Sequence, residues 1–399
     1  QMTKNFCAAP WRGLHIQVDG GISTCCAGEI KFGNINTDTI ESALAHEKLK
    51  EIRSQIKEGN LPDDYCKSCK NSIEKNLSCE KDWHNSLNED FDIETAGIEY
   101  HSPVIFDARW SNTCNSTCVY CGPTFSSKWA SLVSNQKHKI EQDKKDKIHN
   151  FFKKNSSTLK TVAMVGGEPL LLKENVDLLD SIPSDVSIDI ISNFSTDVTK
   201  SKVFEKLLHR RKVHWHISLE NVGERYEYVR QGSKWQNLIN NLKILGKEVR
   251  NPPEKNDHEI QFMSLFHLLN ATHLCEFKEF AKEAISFFPH KFHEKNPYRK
   301  NIEIVWQDYL EPKELSVDNY GTDVLGKIIN EIEKYLETDV TAEERKYFQT
   351  KIEKFKSAVP VTDKKSKEDL ARFINKNEKL FDNIGYLHKL WPEFSFLTD

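Results

Sequence analysis

Between residues 98 and 312 the apolar positions come in short runs that alternate with stretches of helical period. Val104–Asp107, Thr161–Val165, Val186–Ile191, Val213–Leu219, Ile260–Leu265 and Ile302–Trp306 read as six strands. Amphipathic stretches around Asn175–Ile182, Val203–His209, Trp235–Leu245 and His273–Phe287 fall between them. Alternation of this kind predicts an α/β fold with a parallel sheet, and six units over about 210 residues predict a partial (β/α)6 TIM-like barrel. Upstream, Leu14–Val18 and Ile22–Cys26 flank an Asp19-Gly20-Gly21 turn and predict a hairpin. A helix is predicted from Thr39 to Lys57, with Ile40, Ala43, Leu44, Leu49, Ile52 and Ile56 on one face. Downstream, the Val324–Leu336 stripe, the capping box Thr341-x-x-Glu344 and the stretch Ser366–Phe381 predict helices. The expected organisation is a cysteine-rich module over 1–97, a barrel over 98–312 and a helical region over 313–399.

No apolar run reaches the roughly 18 residues a membrane span needs. Lys plus Arg number 56 and Asp plus Glu 60, a near-balance that argues against a dedicated nucleic-acid binder. The start lacks the charged-then-apolar pattern of an export signal. Ten cysteines then suggest metal ligands in a reducing, cytoplasmic compartment rather than a disulfide scaffold.

Three of those cysteines lie in Cys114-Asn115-Ser116-Thr117-Cys118-Val119-Tyr120-Cys121, on the loop that leaves the first barrel strand. Thiolates at C-x3-C-x2-C spacing can converge on one soft metal centre. A 4Fe–4S cube usually takes four thiolates, so three would leave one iron open. Zinc is the alternative, and needs a fourth ligand such as His138 or Cys275 returning in space.

This stretch resembles the radical S-adenosylmethionine (SAM) superfamily, in which the open iron is chelated by SAM and an electron from the cluster cleaves it to methionine and a 5′-deoxyadenosyl radical. The resemblance implies Cys114, Cys118 and Cys121 as cluster ligands. After the second strand, Gly166-Gly167-Glu168-Pro169 alone would be a plain strand-to-helix turn. It is similar to the superfamily motif that holds SAM's amino group, with glycines allowing close backbone approach and an acid accepting from the ammonium. Ser192 and Asn193 after the third strand, and Ser218 and Glu220 after the fourth, cap helices in the plain reading. By resemblance they contact SAM's ribose or carboxylate. Arg230 matches the arginine that meets the carboxylate, with Arg225 as runner-up, and Tyr120 the adenine contact.

A second set, Cys7, Cys25, Cys66 and Cys69, resembles the twitch module, the shorter relative of SPASM, which implies an auxiliary 4Fe–4S cluster. A structural zinc knuckle is the alternative. The position departs from the family, because the module here precedes the barrel, and Cys26 and Cys79 are extra. The resemblance implies an oxidoreductase that uses SAM to modify a peptide or small-molecule substrate oxidatively, with flavodoxin or ferredoxin as electron donor. A redox-neutral epimerase or rearrangement catalyst and a non-catalytic metal-bearing scaffold are the alternatives. No acid or base stands out. Tyr228, His216, His267, Cys275 and Trp306 lie near the expected barrel mouth, where lone His and Trp are usually core. Phe288–His293 reads as a basic surface loop.

Overall fold

The computed structural model describes residues 5–74, 79–133, 140–249, 257–288, 302–309, 311–357 and 364–397. His138 and most of the basic loop, 289–293, lie outside these.

Each predicted strand is present. With three unpredicted two-residue strands, β3, β5 and β9, the described residues contain β1 (Gly13–Ile16), β2 (Gly21–Ser23), β3 (Gly33–Asn34), β4 (Ile105–Ala108), β5 (Thr117–Cys118), β6 (Thr161–Met164), β7 (Ser187–Ser192), β8 (Lys212–Ser218), β9 (Arg230–Gln231), β10 (Asp257–Phe266) and β11 (Glu303–Asp308). Nine form one open sheet in the order β11-β10-β8-β7-β6-β4-β1-β2-β3. Six barrel strands were expected. The parallel set has seven, because β1 pairs in parallel with β4, Leu14 opposite Phe106. The N-terminal hairpin thus continues the barrel sheet, and β2 and β3 extend it antiparallel.

Alternation along the strands divides the two faces. In register across the outer face run Leu14, Phe106, Val162, Ile188, Val213 and His258. Helices pack against this face. Phe106 stacks 3.8 Å from Phe152 of helix Gln142–Asn155, Trp215 lies 5.6 Å from Phe204 of helix Lys202–Leu208, and Phe262 lies 5.9 Å from Phe277 of helix Leu274–Ala284. Burying each such aromatic is worth about 1.5–3 kcal/mol. The inner face carries a different row in register: His15, Asp107, Ala163, Asp189, His214 and Glu259.

The expected helix from Thr39 to Lys57 is two helices, Ile40–Leu44 and Glu47–Lys57. The chain leaves helical geometry at His46 (ψ 136°), whose Nδ1 accepts from the Lys48 amide and caps the second helix. The C-terminal helices Thr322–Leu336, Ala342–Ser357 and Lys364–Phe381 dock on the barrel's outer side. Their anchors are the buried Lys278–Glu344 pair at 2.9 Å, the Trp306–Tyr335 hydrogen bond at 3.1 Å and Trp391, fully buried and donating to Leu269 O. The capping box at Thr341 and Glu344 is formed in both directions.

Candidate iron–sulfur and SAM site

Loops at the C-terminal ends of β4, β6, β7 and β8 converge at one edge of the sheet. The loop after β4 is pinned at β5, which pairs antiparallel with β9 so that Cys118 stands opposite Arg230. The indole of Trp129 donates to Cys118 O at 2.9 Å, Ser126 Oγ donates to Ser116 O at 2.7 Å, and the Cys114 amide donates to Ser127 Oγ at 3.2 Å. Trp129, Ser126 and Ser127 lie on the turn and helix that follow the motif. The sequence pattern gave no sign of this support.

Cys114, Cys118 and Cys121 are close enough that Cys118 feels the charge of the other two and Cys121 that of Cys114. Burial pushes all three up, Cys121 to about 11. Two donors reach toward sulfur: Arg230 Nη1 lies 3.9 Å from Cys118 Sγ and Asn193 Nδ2 3.8 Å from Cys114 Sγ. Buried soft donors that ionise only beside positive charge, on a fixed loop with hydrogen bonds to sulfur, fit a three-thiolate 4Fe–4S centre.

Gly166 and Gly167 take positive φ, 86° and 56°. A Cβ on Gly167 would lie 2.1 Å from Thr113 O, and one on Gly166 3.0 Å from Arg109 Cβ, so the turn nests directly on the cysteine loop. The Glu168 amide donates to Thr113 O at 2.7 Å. Its carboxylate is fully buried and accepts from Ser192 Oγ (2.7 Å), the Asn193 amide (2.8 Å) and the Leu170 amide (3.1 Å). Burial outweighs these donors and raises Glu168 to about 7. Pro169 opens the short 3-10 turn that follows. Asn193 also donates to Asn115 Oδ1 at 2.9 Å, and a hydroxyl chain runs from Ser195 through Ser233 to Ser116.

Glu220 and Arg230 form a buried two-pronged pair at 2.7 and 2.8 Å, and the Tyr120 hydroxyl donates to the same carboxylate at 2.9 Å. The Arg230 guanidinium lies 5.5 Å from the Tyr120 ring centre. Arg230 therefore spends Nε and Nη2 on Glu220 and turns Nη1 toward Cys118. Ser218 ends β8, half-buried and opposite Met263. His267 is fully buried, with its ring 5.6 Å from Tyr120 and Nε2 unpartnered.

Other candidates lie elsewhere. Arg225 bonds Glu276 and Leu390 O on the helical side, and Tyr228 bonds Glu378. Trp306 is packed among Phe266, Tyr335 and Phe348, and the Cys275 amide is tied to Glu331. Two surface cavities of about 700 and 710 Å³ sit among the outer helices and hold none of the cysteines.

The second cysteine set assembles from four segments. Cys7 precedes the first helical turn, Cys25 follows β2, and Cys66 and Cys69 share helix Asp63–Glu74, which kinks at Cys66. Cys79 joins them from the N-terminus of helix Glu80–Ser86. The Cys69 and Cys79 thiols hydrogen-bond, and Cys7 lies within electrostatic reach of Cys66, Cys79 and Cys25. Burial raises Cys7 and Cys66 to about 12. Among the described residues no three of these sulfurs lie within 4.8 Å of one another.

Between the two sets lies a run of polar groups. Cys26, hydrogen-bonded to Cys25 and Glu80, feels the charge of Asp107. Asp107 takes a two-pronged bond from Arg109 (3.3 and 3.1 Å) and lies 2.9 Å from His15 Nδ1. Burial works against its ionisation, but His15 and Arg109 together hold Asp107 below the usual carboxylate range. Arg109 in turn lies beneath Gly166. His15, Asp107 and Arg109 form a polar group absent from the sequence reading, since only the register of β1 on β4 brings His15 to Asp107.

Comparison with known proteins accords with this geometry. The Radical SAM superfamily profile matches residues 109–266. That of SPASM, an iron-sulfur cluster-binding domain, matches residues 7–70. No curated protein matches the chain in sequence. Among solved structures, Streptococcus suis SuiB bound to precursor peptide SuiA is similar at TM-score 0.39 and 14% identity, over 59% of this chain and 46% of that one. Native anSMEcpe with bound AdoMet is similar at TM-score 0.39 and 14% identity, over 58% and 60%. The chain thus spans about half the length of the solved chains it matches. A SPASM domain implies auxiliary iron–sulfur binding, and a radical SAM domain implies a 4Fe–4S cluster with SAM. The chain carries a radical SAM domain over residues 109–266 and, ahead of it, a SPASM domain over residues 7–70.

Proposed function

We propose that this protein is an oxidoreductase that cleaves SAM reductively and removes hydrogen from a substrate bound on the inner face, with net oxidation. Cys114, Cys118 and Cys121 would hold the SAM-binding cluster, and Cys7, Cys25, Cys66 and Cys69 the auxiliary one. When bound, the clusters and SAM supply the radical that takes the hydrogen atom and a sink for the electron left behind. The chain's own residues position these groups. Gly166 and Gly167 let the backbone approach SAM, and Glu168 receives its ammonium. Ser192, Asn193 and Ser218 line the ribose side, Arg230 offers Nη1 to the carboxylate, and the Glu220–Tyr120 pair holds Arg230 in place.

The observation that supports this reading is the strand register: β1, in the cysteine-rich module, pairs in parallel with β4, whose following loop carries Cys114, Cys118 and Cys121, so the two cysteine-bearing regions share one sheet. The substrate would lie on the inner face of that sheet. Its polar lining suits a hydrogen-bonding substrate, either a peptide side chain, which we prefer, or a small polar molecule. An electron donor of the flavodoxin or ferredoxin class, a cytoplasmic location and division of the chain at residues 97 and 312 complete the proposal.

The test is anaerobic incubation with SAM, a reductant and candidate peptides or polar metabolites. The expected result is 5′-deoxyadenosine with a product lighter by two hydrogens. Solvent deuterium returned into otherwise unchanged substrate would replace net oxidation with a redox-neutral reaction.

A further inference from the structure

The inner face carries a side-chain cluster that the SAM and cysteine sites do not use. His214 and His216 sit two residues apart on β8 and so project to the same face. Asp189, on β7, stands opposite His214. Its Oδ1 lies 2.6 Å from His214 Nδ1 and 3.6 Å from His216 Nε2. One ligand atom from each residue falls within 4.8 Å of the others, and this is the only such trio of His, Cys, Asp or Glu among the described residues.

We propose that Asp189, His214 and His216 form a mononuclear site for a divalent first-row transition ion. Two imidazoles and one carboxylate suit ions of the zinc and ferrous type. Bonds of about 2.0–2.1 Å place ligand atoms roughly 3.0–3.4 Å apart, which the observed spacings bracket. An Asp–His hydrogen bond by itself is an ordinary structural contact. The second imidazole aimed at the same oxygen is what marks a site, and the buried His216 Nδ1 has no partner of its own.

Neighbouring charge is consistent with a cation. Asp107, two strands away, is neutralised by Arg109, whereas among the described residues no arginine or lysine is bonded to Asp189. Glu259 stands beside His214 in register on the same face and supplies a second carboxylate. Lys212, at the exposed start of β8, is the cation that His214 feels. Three protein ligands leave positions open toward the inner face. An ion there would bind a water or a hydroxyl group and lower its pKa. The inference is independent of the reading above, because its ligands include no cysteine.

The probe is Zn²⁺ alone, equilibrated by anaerobic dialysis with cluster-loaded protein. Iron and zinc would be measured on the wild type, His214→Ala/His216→Ala and Asp189→Asn. The expected result is one zinc per chain in the wild type, lost in the double variant and weakened about tenfold or more in Asp189→Asn, with iron unchanged in all three. Zinc-edge X-ray absorption would show nitrogen and oxygen at about 2.0–2.1 Å and no sulfur near 2.3 Å. Equal zinc in all three proteins, no zinc in the wild type, or sulfur ligation would each overturn the proposal. Should the double variant lose iron or unfold, Asp189→Asn and the absorption spectrum decide alone.

Discussion

The two cysteine sets are built in opposite ways. Cys114, Cys118 and Cys121 come from eight consecutive residues, and their geometry is locked by one short β-pairing, one indole and two serines. The N-terminal set draws on four segments spanning Cys7 to Cys79, and it contains more thiols than one cube needs. A contiguous motif fixes ligand identity. A dispersed one leaves it to tertiary packing, and here packing brings Cys79 onto Cys69. The first set should therefore tolerate no substitution, whereas the second should tolerate the loss of one ligand but not of two.

The largest effect that would break this contrast is on activity. Cys114→Ala/Cys118→Ala/Cys121→Ala should lower 5′-deoxyadenosine formation a thousandfold or more, by about 4 kcal/mol or more in the barrier. Cys66→Ala/Cys69→Ala should leave it within about threefold, under 1 kcal/mol, while abolishing the oxidised product. Liquid chromatography of the two reactions distinguishes these outcomes, and equal losses would erase the contrast.

Arg230→Met should come next. It strands Glu220, almost fully buried, without its partner, which costs about 3–5 kcal/mol. Denaturant unfolding of the anaerobic protein measures it, and a loss below about 1 kcal/mol would mean that the pair contributes little to the loop. Gly167→Ala should cost about 2–3 kcal/mol through positive φ and the clash with Thr113 O, visible as a lowered Tm.

The smallest effect concerns pH. Burial raises Glu168 to about 7 without SAM, whereas an ammonium partner favours the ionised form. SAM affinity should therefore rise with pH until Glu168 is ionised in the free protein, just above 7, and then level off. Below that range, binding should release a proton. Calorimetry in buffers of differing ionisation enthalpy reads this directly. Glu168→Gln should flatten the profile and weaken binding about tenfold at pH 8. An unchanged profile in the variant would remove Glu168 from the SAM site. For stability the sign is opposite: a raised carboxyl pKa means that the SAM-free fold loses stability as pH climbs from the unfolded value toward 7.

What could be read from the chain follows the same division. The six barrel strands and the N-terminal hairpin were visible because β-branched and aromatic residues recur between turn residues, whereas the two-residue strands β3, β5 and β9 carry no such pattern; Cys114–Cys121 and Gly166–Pro169 stand out because their chemistry is local. Register across strands is not local. Asp107, Asp189, His214 and Glu259 come from four strands, and nothing in any one strand says that they share a row. His216, in an apolar strand, has the sequence appearance of a core residue, yet it faces a carboxylate. The parallel pairing of β1 with β4 escaped for the same reason: a short hairpin ahead of a cysteine-rich helix carries no mark of the sheet it joins. The break at His46 was hidden because the apolar stripe runs on through it.

The central claim is that this sheet supports two iron–sulfur clusters, one of them on Cys114, Cys118 and Cys121. The most direct measurement is iron, sulfide and zinc content after anaerobic reconstitution, comparing the native protein with the variant lacking those three cysteines. Two clusters would give about eight irons per chain, falling to about four in the variant. About four irons falling to none, with one zinc held through sulfur in both proteins, would contradict it and leave the N-terminal module a structural zinc site.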